Sequence, residues 1–178
     1  LAGRGSLPRP RRVKASDDAV RAPLKGSYKL AEYWDGWVDD ARTRLWQPDT
    51  MVNVYSVGKA VIALLVLQLV DEGVLSLDQG IADVWPEFAA HGKGAATIRH
   101  ALCHRAGVPA VRERLTDDDL WDWQRMTDAV AATEPWFEPG SRHVYHTNTY
   151  GHLVGGIVER ATGEMPGTRL RRITEALD

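Results

Sequence analysis

The clearest chemical signal in the sequence is a serine followed three residues later by a lysine. Ser56 and Lys59 form a Ser-x-x-Lys motif, and residues 60–67 that follow are all apolar. Residues three apart share one face of a helix, so the Lys59 ammonium can reach the Ser56 hydroxyl. A lysine in an apolar setting can activate a serine as a nucleophile. The alternative is a capping serine beside a solvated lysine.

A second candidate is Tyr145, on a loop between a turn at residues 138–141 and a helical pattern from residue 150. Such a tyrosine can present its phenol to a Ser/Lys pair, as a phenolate base favoured by Lys59 or as a proton shuttle. The alternative is a tyrosine bonded to backbone, with Asn148 capping the next helix.

Helices are predicted to position both candidates. The apolar periodicity and the flanking stop residues predict helical segments at residues 56–72, 97–102, 120–133 and 150–161, a turn or two from residue 76, and a last helix from Pro166. The helix at 56–72 is apolar on almost every side, which predicts a buried central helix. Upstream, alternation at residues 28–34 predicts one strand.

Composition places the chain among globular proteins and excludes several function classes. Its 178 residues are 44% apolar with a formal net charge of −2, so charge favours neither bulk nucleic-acid nor membrane-surface binding. A lone cysteine, Cys103, excludes an intramolecular disulfide, and we expect it to be buried. The histidines lack a metal-ligand spacing, so no metal and no cofactor is expected.

The start of the chain differs from the rest. Residues 1–16 hold five basic residues and two prolines but no acidic residue, which favours a flexible basic arm over residues 1–24. No signal peptide is recognisable and the longest apolar run is far too short to cross a bilayer, so we expect a cytoplasmic protein. Because the chain begins with Leu1, a processed periplasmic or secreted protein stays open.

The order of the motifs resembles the serine β-lactamase and penicillin-binding-protein superfamily, in particular its class C-like branch and the family VIII carboxylesterases. The similar segments are residues 49–59, 73–78, 85–88, 102–109, 136–140 and 145–163. The resemblance implies an α/β (α+β) domain over residues 25–178, in which an antiparallel sheet packs against a mainly helical region. Sheet strands are then expected at about 25–55 and the helical region at about 56–178.

The resemblance also implies roles for individual residues. Ser56 would be the acylated nucleophile and would donate its backbone N–H to the oxyanion hole, Lys59 would activate it, and Tyr145 would begin a Tyr-x-Asn motif. Here the third position is Thr147, with Asn148 one place later. Both are candidate substrate-binding residues, and the shorter Thr147 side chain favours esters over β-lactams. The tryptophans, including Trp121, fit either an apolar pocket or the core.

A third family motif, Lys-Thr-Gly or an equivalent, is not found after Tyr145. His91-Gly92-Lys93-Gly94 is similar but lies upstream and is interpreted as a loop. We therefore expect the N-terminal half of a family member, without the C-terminal strands that complete the sheet and the oxyanion hole.

The predicted function is a carboxylesterase on small esters. A β-lactamase or D-alanyl-D-alanine carboxypeptidase is the enzymatic alternative, and a catalytically silent ligand-binding or partner-completed module is the alternative of another class. The expected partners are a small ester or β-lactam-like substrate and a second chain or copy that completes the sheet, with no nucleic acid and no membrane.

Overall fold

The computed structural model describes residues 36–176 of the chain. The described residues divide into two compact units, with the boundary between Asn53 and Val54. The arm predicted over residues 1–24 and the strand predicted at 28–34 lie outside the described residues.

Residues 36–53 form turns. Trp37 and Leu45 form an isolated antiparallel bridge, and the Trp46 N–H donates to the Gly36 carbonyl at 3.0 Å. Gly36 has φ +102°, a conformation that glycine adopts without steric cost. Strands were expected up to residue 55, but the structure forms none between residues 36 and 176, so the sheet remains a prediction. An extended segment needs a neighbouring strand to pair its backbone groups, and this segment pairs with itself through turns.

From Val54 onward the described chain is helical. The α-helices are α1 (Gly58–Asp71), α2 (Ile98–Leu102), α3 (Trp123–Ala132), α4 (Thr149–Thr162) and α5 (Pro166–Glu175), and 3-10 helices span Tyr55–Val57, Ile81–Asp83, Pro86–Ala95 and Asp119–Trp121. The helices predicted at 97–102, at 150–161 and from Pro166 are confirmed. The one predicted at 120–133 begins later, at Trp123, because Asp122 is extended and its carboxylate caps the helix by accepting the Arg125 N–H.

Helix α4 lies at the centre of this unit and contacts α1, α2, α3 and α5. Its glycines allow close packing. A Cβ atom at Gly155 would lie 2.6 Å from the Trp123 ring, and one at Gly156 would lie 2.8 Å from the ring of the buried Trp85. The two indoles therefore rest directly on the α4 backbone.

Helix α1 is buried on one side and exposed on the other, so the prediction of a helix buried all round is wrong for this chain. Leu65, Val66 and Leu69 are in the core, whereas Leu64 and Leu67 are 49% and 46% exposed. The apolar periodicity gave no basis for separating the two sides, because both carry the same residue types. Cys103, at the end of α2, is also exposed, contrary to expectation.

Lys93 is completely buried. Residues 91–94, predicted as a loop, lie within the kinked 3-10 segment Pro86–Ala95. His91 and Gly92 leave helical geometry with φ +55° and +80°, which turns the chain so that Lys93 points inward. The Lys93 ammonium donates to the carbonyls of Ala90, at 2.8 Å, and Thr133, at 2.6 Å. Burial lowers the pKa of Lys93 to about 8. This lysine joins the segment before α2 to the end of α3.

Replacing Lys93 by methionine is expected to lower the free energy of unfolding by about 1–3 kcal/mol, because the buried Thr133 carbonyl and the partly buried Ala90 carbonyl lose their donor. Urea unfolding at neutral pH measures the change. The matched control is Arg171→Met, at an exposed position on α5, where a change within about 0.5 kcal/mol is expected. Equal effects of the two substitutions would contradict the structural role of Lys93.

Candidate active site

Ser56 and Lys59 meet at the start of α1, as the motif predicts. Ser56 is exposed in the 3-10 turn Tyr55–Val57, and Lys59 lies in the first turn of the helix that follows. The Lys59 ammonium donates to the Ser56 hydroxyl oxygen at 3.2 Å. Tyr55, directly before the serine, has φ +45°, a conformation that is uncommon for a non-glycine residue and that often accompanies functional sites.

Lys59 also joins α1 to the loop that carries Tyr145. Its ammonium donates to the backbone carbonyl of Thr147 at 2.8 Å. It lies 5.0 Å from the centre of the Tyr145 ring and 5.9 Å from that of Tyr150. The lysine is therefore surrounded by one hydroxyl, one carbonyl and two aromatic rings.

The phenol of Tyr145 completes a cluster of three polar groups. Its pKa is lowered, first by a hydrogen bond with the Ser56 hydroxyl and then by the hydrogen bond and positive charge of Lys59. The side chain is half exposed, so a substrate can approach it. The structure thus brings together the three side chains that the sequence singled out.

The loop before α4 is anchored by buried His146. The Nε2 atom of His146 accepts the Val108 N–H at 3.2 Å, and its Nδ1 lies 2.6 Å from the Val144 carbonyl. The Thr149 hydroxyl donates to the Val108 carbonyl at 2.7 Å. Burial is the main cause that lowers the pKa of His146 to about 4, so the ring is neutral at pH 7. The neutral ring therefore links Val144, which precedes Tyr145, to Val108.

Thr147 and Asn148 are exposed and line a cavity beside Ser56. Thr147 meets Lys59 through its backbone carbonyl. Asn148 stands at the start of α4, but its side chain makes no capping hydrogen bond. The capping interaction weighed for Asn148 is therefore absent, and its amide is available to the cavity.

The cavity has a volume of about 480 Å³. Its lining residues are Tyr55, Ser56, Gly58, Lys59, Ile62, Leu120, Trp121, Thr147, Asn148, Gly151 and His152. No carboxylate or guanidinium belongs to this set. Burial is the main cause that lowers the pKa of His152, which favours its neutral ring. Lys59 contributes its ammonium group to the lining.

Trp121 forms an apolar wall of this cavity and is 87% exposed. It lies on the 3-10 turn Asp119–Trp121, which Asp119 stabilises by accepting the backbone N–H and the hydroxyl of Thr116, both at 2.7 Å. The sequence left Trp121 open between pocket and core, and the structure places it at the pocket. Trp136 is elsewhere, with its ring against Arg112, and Trp34 lies outside the described residues.

Several lining residues were not anticipated from the sequence. Gly151 and His152 lie on the first turn of α4, one and two residues after Tyr150. Their closeness in sequence to Asn148 could have indicated that they line the same cavity. Leu120 lies far from Ser56 in sequence and carried no such signal. Across residues 36–176, no group of three or more His, Cys, Asp or Glu side chains is arranged to hold a metal ion.

Comparison with known proteins assigns the family. A model of the family described as Beta-lactamase matches residues 19–177, most of the chain. The chain belongs to the beta-lactamase family. It therefore has the β-lactamase-like, or transpeptidase, fold, of which the described residues form the helical part.

Relatives within the beta-lactamase family carry esterase and penicillin-binding-protein names. Esterase/beta-lactamase LipL of Mycobacterium tuberculosis is 33% identical over 135 residues, which cover 76% of this chain and 31% of the relative. A penicillin-binding protein homologue from Caulobacter crescentus is 44% identical with a TM-score of 0.73, covering 77% of this chain and 37% of that one. A family VIII carboxylesterase is 40% identical with a TM-score of 0.74, covering 77% and 38%.

This member of the beta-lactamase family thus spans about a third of the length of the curated relatives it matches. No helix among residues 36–176 is both long and apolar enough to cross a membrane.

The anchoring histidine predicts a pH dependence of stability. Because the pKa of His146 falls to about 4 on folding, the unfolded chain binds the proton more tightly. Stability is then present above the ordinary histidine pKa and is lost as the pH falls from about 6.5 to about 4, with a slope of up to about 1.4 kcal/mol per pH unit. Urea unfolding at a series of pH values measures this slope.

The variant His146→Gln should flatten the dependence in this interval, whatever its effect on stability at pH 7. His91→Gln, at an exposed histidine, is the control and should leave the slope unchanged. An unaltered slope in His146→Gln would refute the account.

Proposed function

We propose that this chain carries the acylation site of a serine hydrolase, a carboxylesterase that acts on small neutral esters through an acyl-enzyme on Ser56. The observation that supports this most directly is the hydrogen bond of 3.2 Å between the Lys59 ammonium and the Ser56 hydroxyl, with the Tyr145 ring centre 5.0 Å from the same ammonium. The names of LipL and of the family VIII carboxylesterase agree with this chemistry.

In the proposed reaction, Tyr145 acts as the base. The lowered pKa of Tyr145 favours its phenolate, and the Lys59 ammonium lies 5.0 Å from the centre of the Tyr145 ring. The phenolate takes the Ser56 proton as Oγ attacks the ester carbonyl carbon. The phenol then returns that proton to the departing alcohol. A water molecule, deprotonated by the same phenolate, releases the acid and restores the serine.

The oxyanion of the tetrahedral intermediate needs hydrogen-bond donors that stabilise its negative charge. The Ser56 backbone N–H is proposed as one, because amides in the first turn of a helix have no helical acceptor. The sequence lacks the family motif that would supply the second donor, and one absent donor costs about 100-fold or more in rate. The hydroxyl of Thr147 and the amide of Asn148 are proposed to contact the substrate.

The cavity lining supports esters over β-lactams. Ile62, Leu120 and Trp121 offer apolar area to an acyl or alcohol group. A β-lactam carries a carboxylate, and among the described lining residues the cationic group that could bind it is Lys59. Occupying Lys59 with that carboxylate would compete with its contact to Ser56.

A fluorophosphonate is expected to add one phosphonyl group to the protein, and a short p-nitrophenyl ester one acyl group, because Ser56 is exposed and activated. Intact mass spectrometry of the full chain after incubation measures the adduct. Ser56→Ala should abolish it, and Ser76→Ala, at another exposed serine, should leave it unchanged.

Absence of any adduct would favour the catalytically silent alternative. A chromogenic cephalosporin provides the substrate comparison, and acylation by it as fast as by the ester would contradict the ester preference.

Tyr145→Phe is expected to slow acylation by about 10²- to 10⁴-fold, the usual contribution of a positioned base. In the unsubstituted chain, the acylation rate should rise with pH through a midpoint below the ordinary tyrosine pKa, because deprotonation creates the base. In Tyr145→Phe, this rise of the acylation rate with pH should be absent. Stopped-flow release of p-nitrophenol measures both effects.

Tyr150→Phe is the matched control, since it removes one hydroxyl, which makes only a long hydrogen bond of 3.4 Å to the Leu102 carbonyl. A pH profile that Tyr145→Phe leaves intact would assign the base to another group.

A further inference from the structure

His104 holds the chain on both sides of Tyr145. Its backbone carbonyl accepts the Val144 N–H at 3.1 Å, and its side-chain Nδ1 accepts the His146 N–H at 3.1 Å. The two amides that flank Tyr145 in sequence therefore share one partner residue. The His104 ring also packs against the Tyr145 ring, with 4.7 Å between the centroids.

His104 is itself fixed from the opposite side. It follows α2 with φ +58°, a left-handed conformation, and its own N–H donates to the Ala101 carbonyl at 3.2 Å. Its ring lies 4.5 Å from that of the buried Tyr150 on α4. This turn lets one residue present both its carbonyl and its Nδ1 to the same loop.

We propose that His104 is a positioning residue that holds the phenol of Tyr145 against Ser56 and Lys59, and that it does so only as the neutral imidazole. This inference rests on the proposed function, because it gives a task to the tyrosine that we assign as the base. His104 itself touches none of the reacting atoms.

The neutral form is required by the geometry of the hydrogen bond. Nδ1 accepts the His146 N–H, and a protonated Nδ1 would be a second donor facing that amide. Among residues 36–176, the titratable and charged groups packed around the ring are Lys59 of α1, His143, Tyr145 and His146 of the loop, and Tyr150 of α4. None is a carboxylate. Burial, His143 and Lys59 lower the pKa of His104, which keeps its lone pair available at pH 7.

Two substitutions separate the parts of this role. His104→Asn keeps an acceptor at the position of Nδ1, tolerates the left-handed backbone and does not titrate. His104→Phe keeps an aromatic ring but removes the acceptor. His91→Asn and His91→Phe are the matched controls, because His91 is an exposed histidine with φ +55°.

The first measurement is the pH profile of acylation of the full chain by a p-nitrophenyl ester. In the unsubstituted chain, the acylation rate should fall more steeply at low pH than one protonation explains, because protonation of His104 inactivates the site in addition to protonation of Tyr145. His104→Asn should remain within about threefold of the normal rate at high pH and should lose that additional steepness, whereas His104→Phe should be slower by about tenfold or more. Neither His91 variant should change the profile. A His104→Asn profile with an unchanged acid limb would overturn the proposal, even if His104→Phe fails to fold.

The second measurement does not require catalysis. Tyrosinate absorbance is titrated in each variant, and the contribution of Tyr145 is obtained by subtracting the same titration in Tyr145→Phe. The Tyr145 midpoint should return toward the ordinary tyrosine value in His104→Phe and stay lowered in His104→Asn. If the unsubstituted chain shows no acylation but this pattern is observed, the proposed function fails and the positioning role stands. If His104→Phe folds and its Tyr145 midpoint stays as low as in the unsubstituted chain, the positioning role is refuted and the proposed function is not affected.

Discussion

The site depends on the hydrogen bonds of one ammonium group. Lys59 binds the Ser56 hydroxyl on the 3-10 turn that precedes its helix and the Thr147 carbonyl on a loop 88 residues further along the chain. Since charge-assisted hydrogen bonds are stronger than neutral ones, this group can hold two elements in register while it lies 5.0 Å from the centre of the Tyr145 ring. The remaining contacts of the loop, through His104 and His146, keep the phenol and the carbonyl within its reach.

Much of the helical region was predictable because local signals agree with the global packing. Thr97 caps α2, Gly163 ends α4 with φ +71°, and Pro166 occupies the first turn of α5. The pairing of Ser56 with Lys59 was equally accessible, because helical spacing alone brings the two side chains together. These features depend on residues that are close in sequence.

What could not be predicted depends on contacts between distant segments. The ring of His104 meets Tyr145, and the Val108 backbone meets His146, only after the turn at 104–108 and the loop at 144–146 have come together. The burial of Lys93 and the exposure of one side of α1 likewise result from tertiary packing. The residue types alone do not indicate them. The family resemblance placed the segments 102–109 and 145–163 in order, but it gave no reason why they should touch.

The turn that carries Trp121 is stabilised separately from the groups that would make and break bonds. Asp119 binds Thr116, and the Arg125 guanidinium lies 3.5 Å from the same carboxylate, so none of the catalytic candidates takes part in holding this turn. The shape of the pocket wall can thus vary through residues 120 and 121 without disturbing Ser56, Lys59 or Tyr145. Under the proposed function, such a division allows one acylation centre to acquire new substrate ranges by small changes in a surface turn.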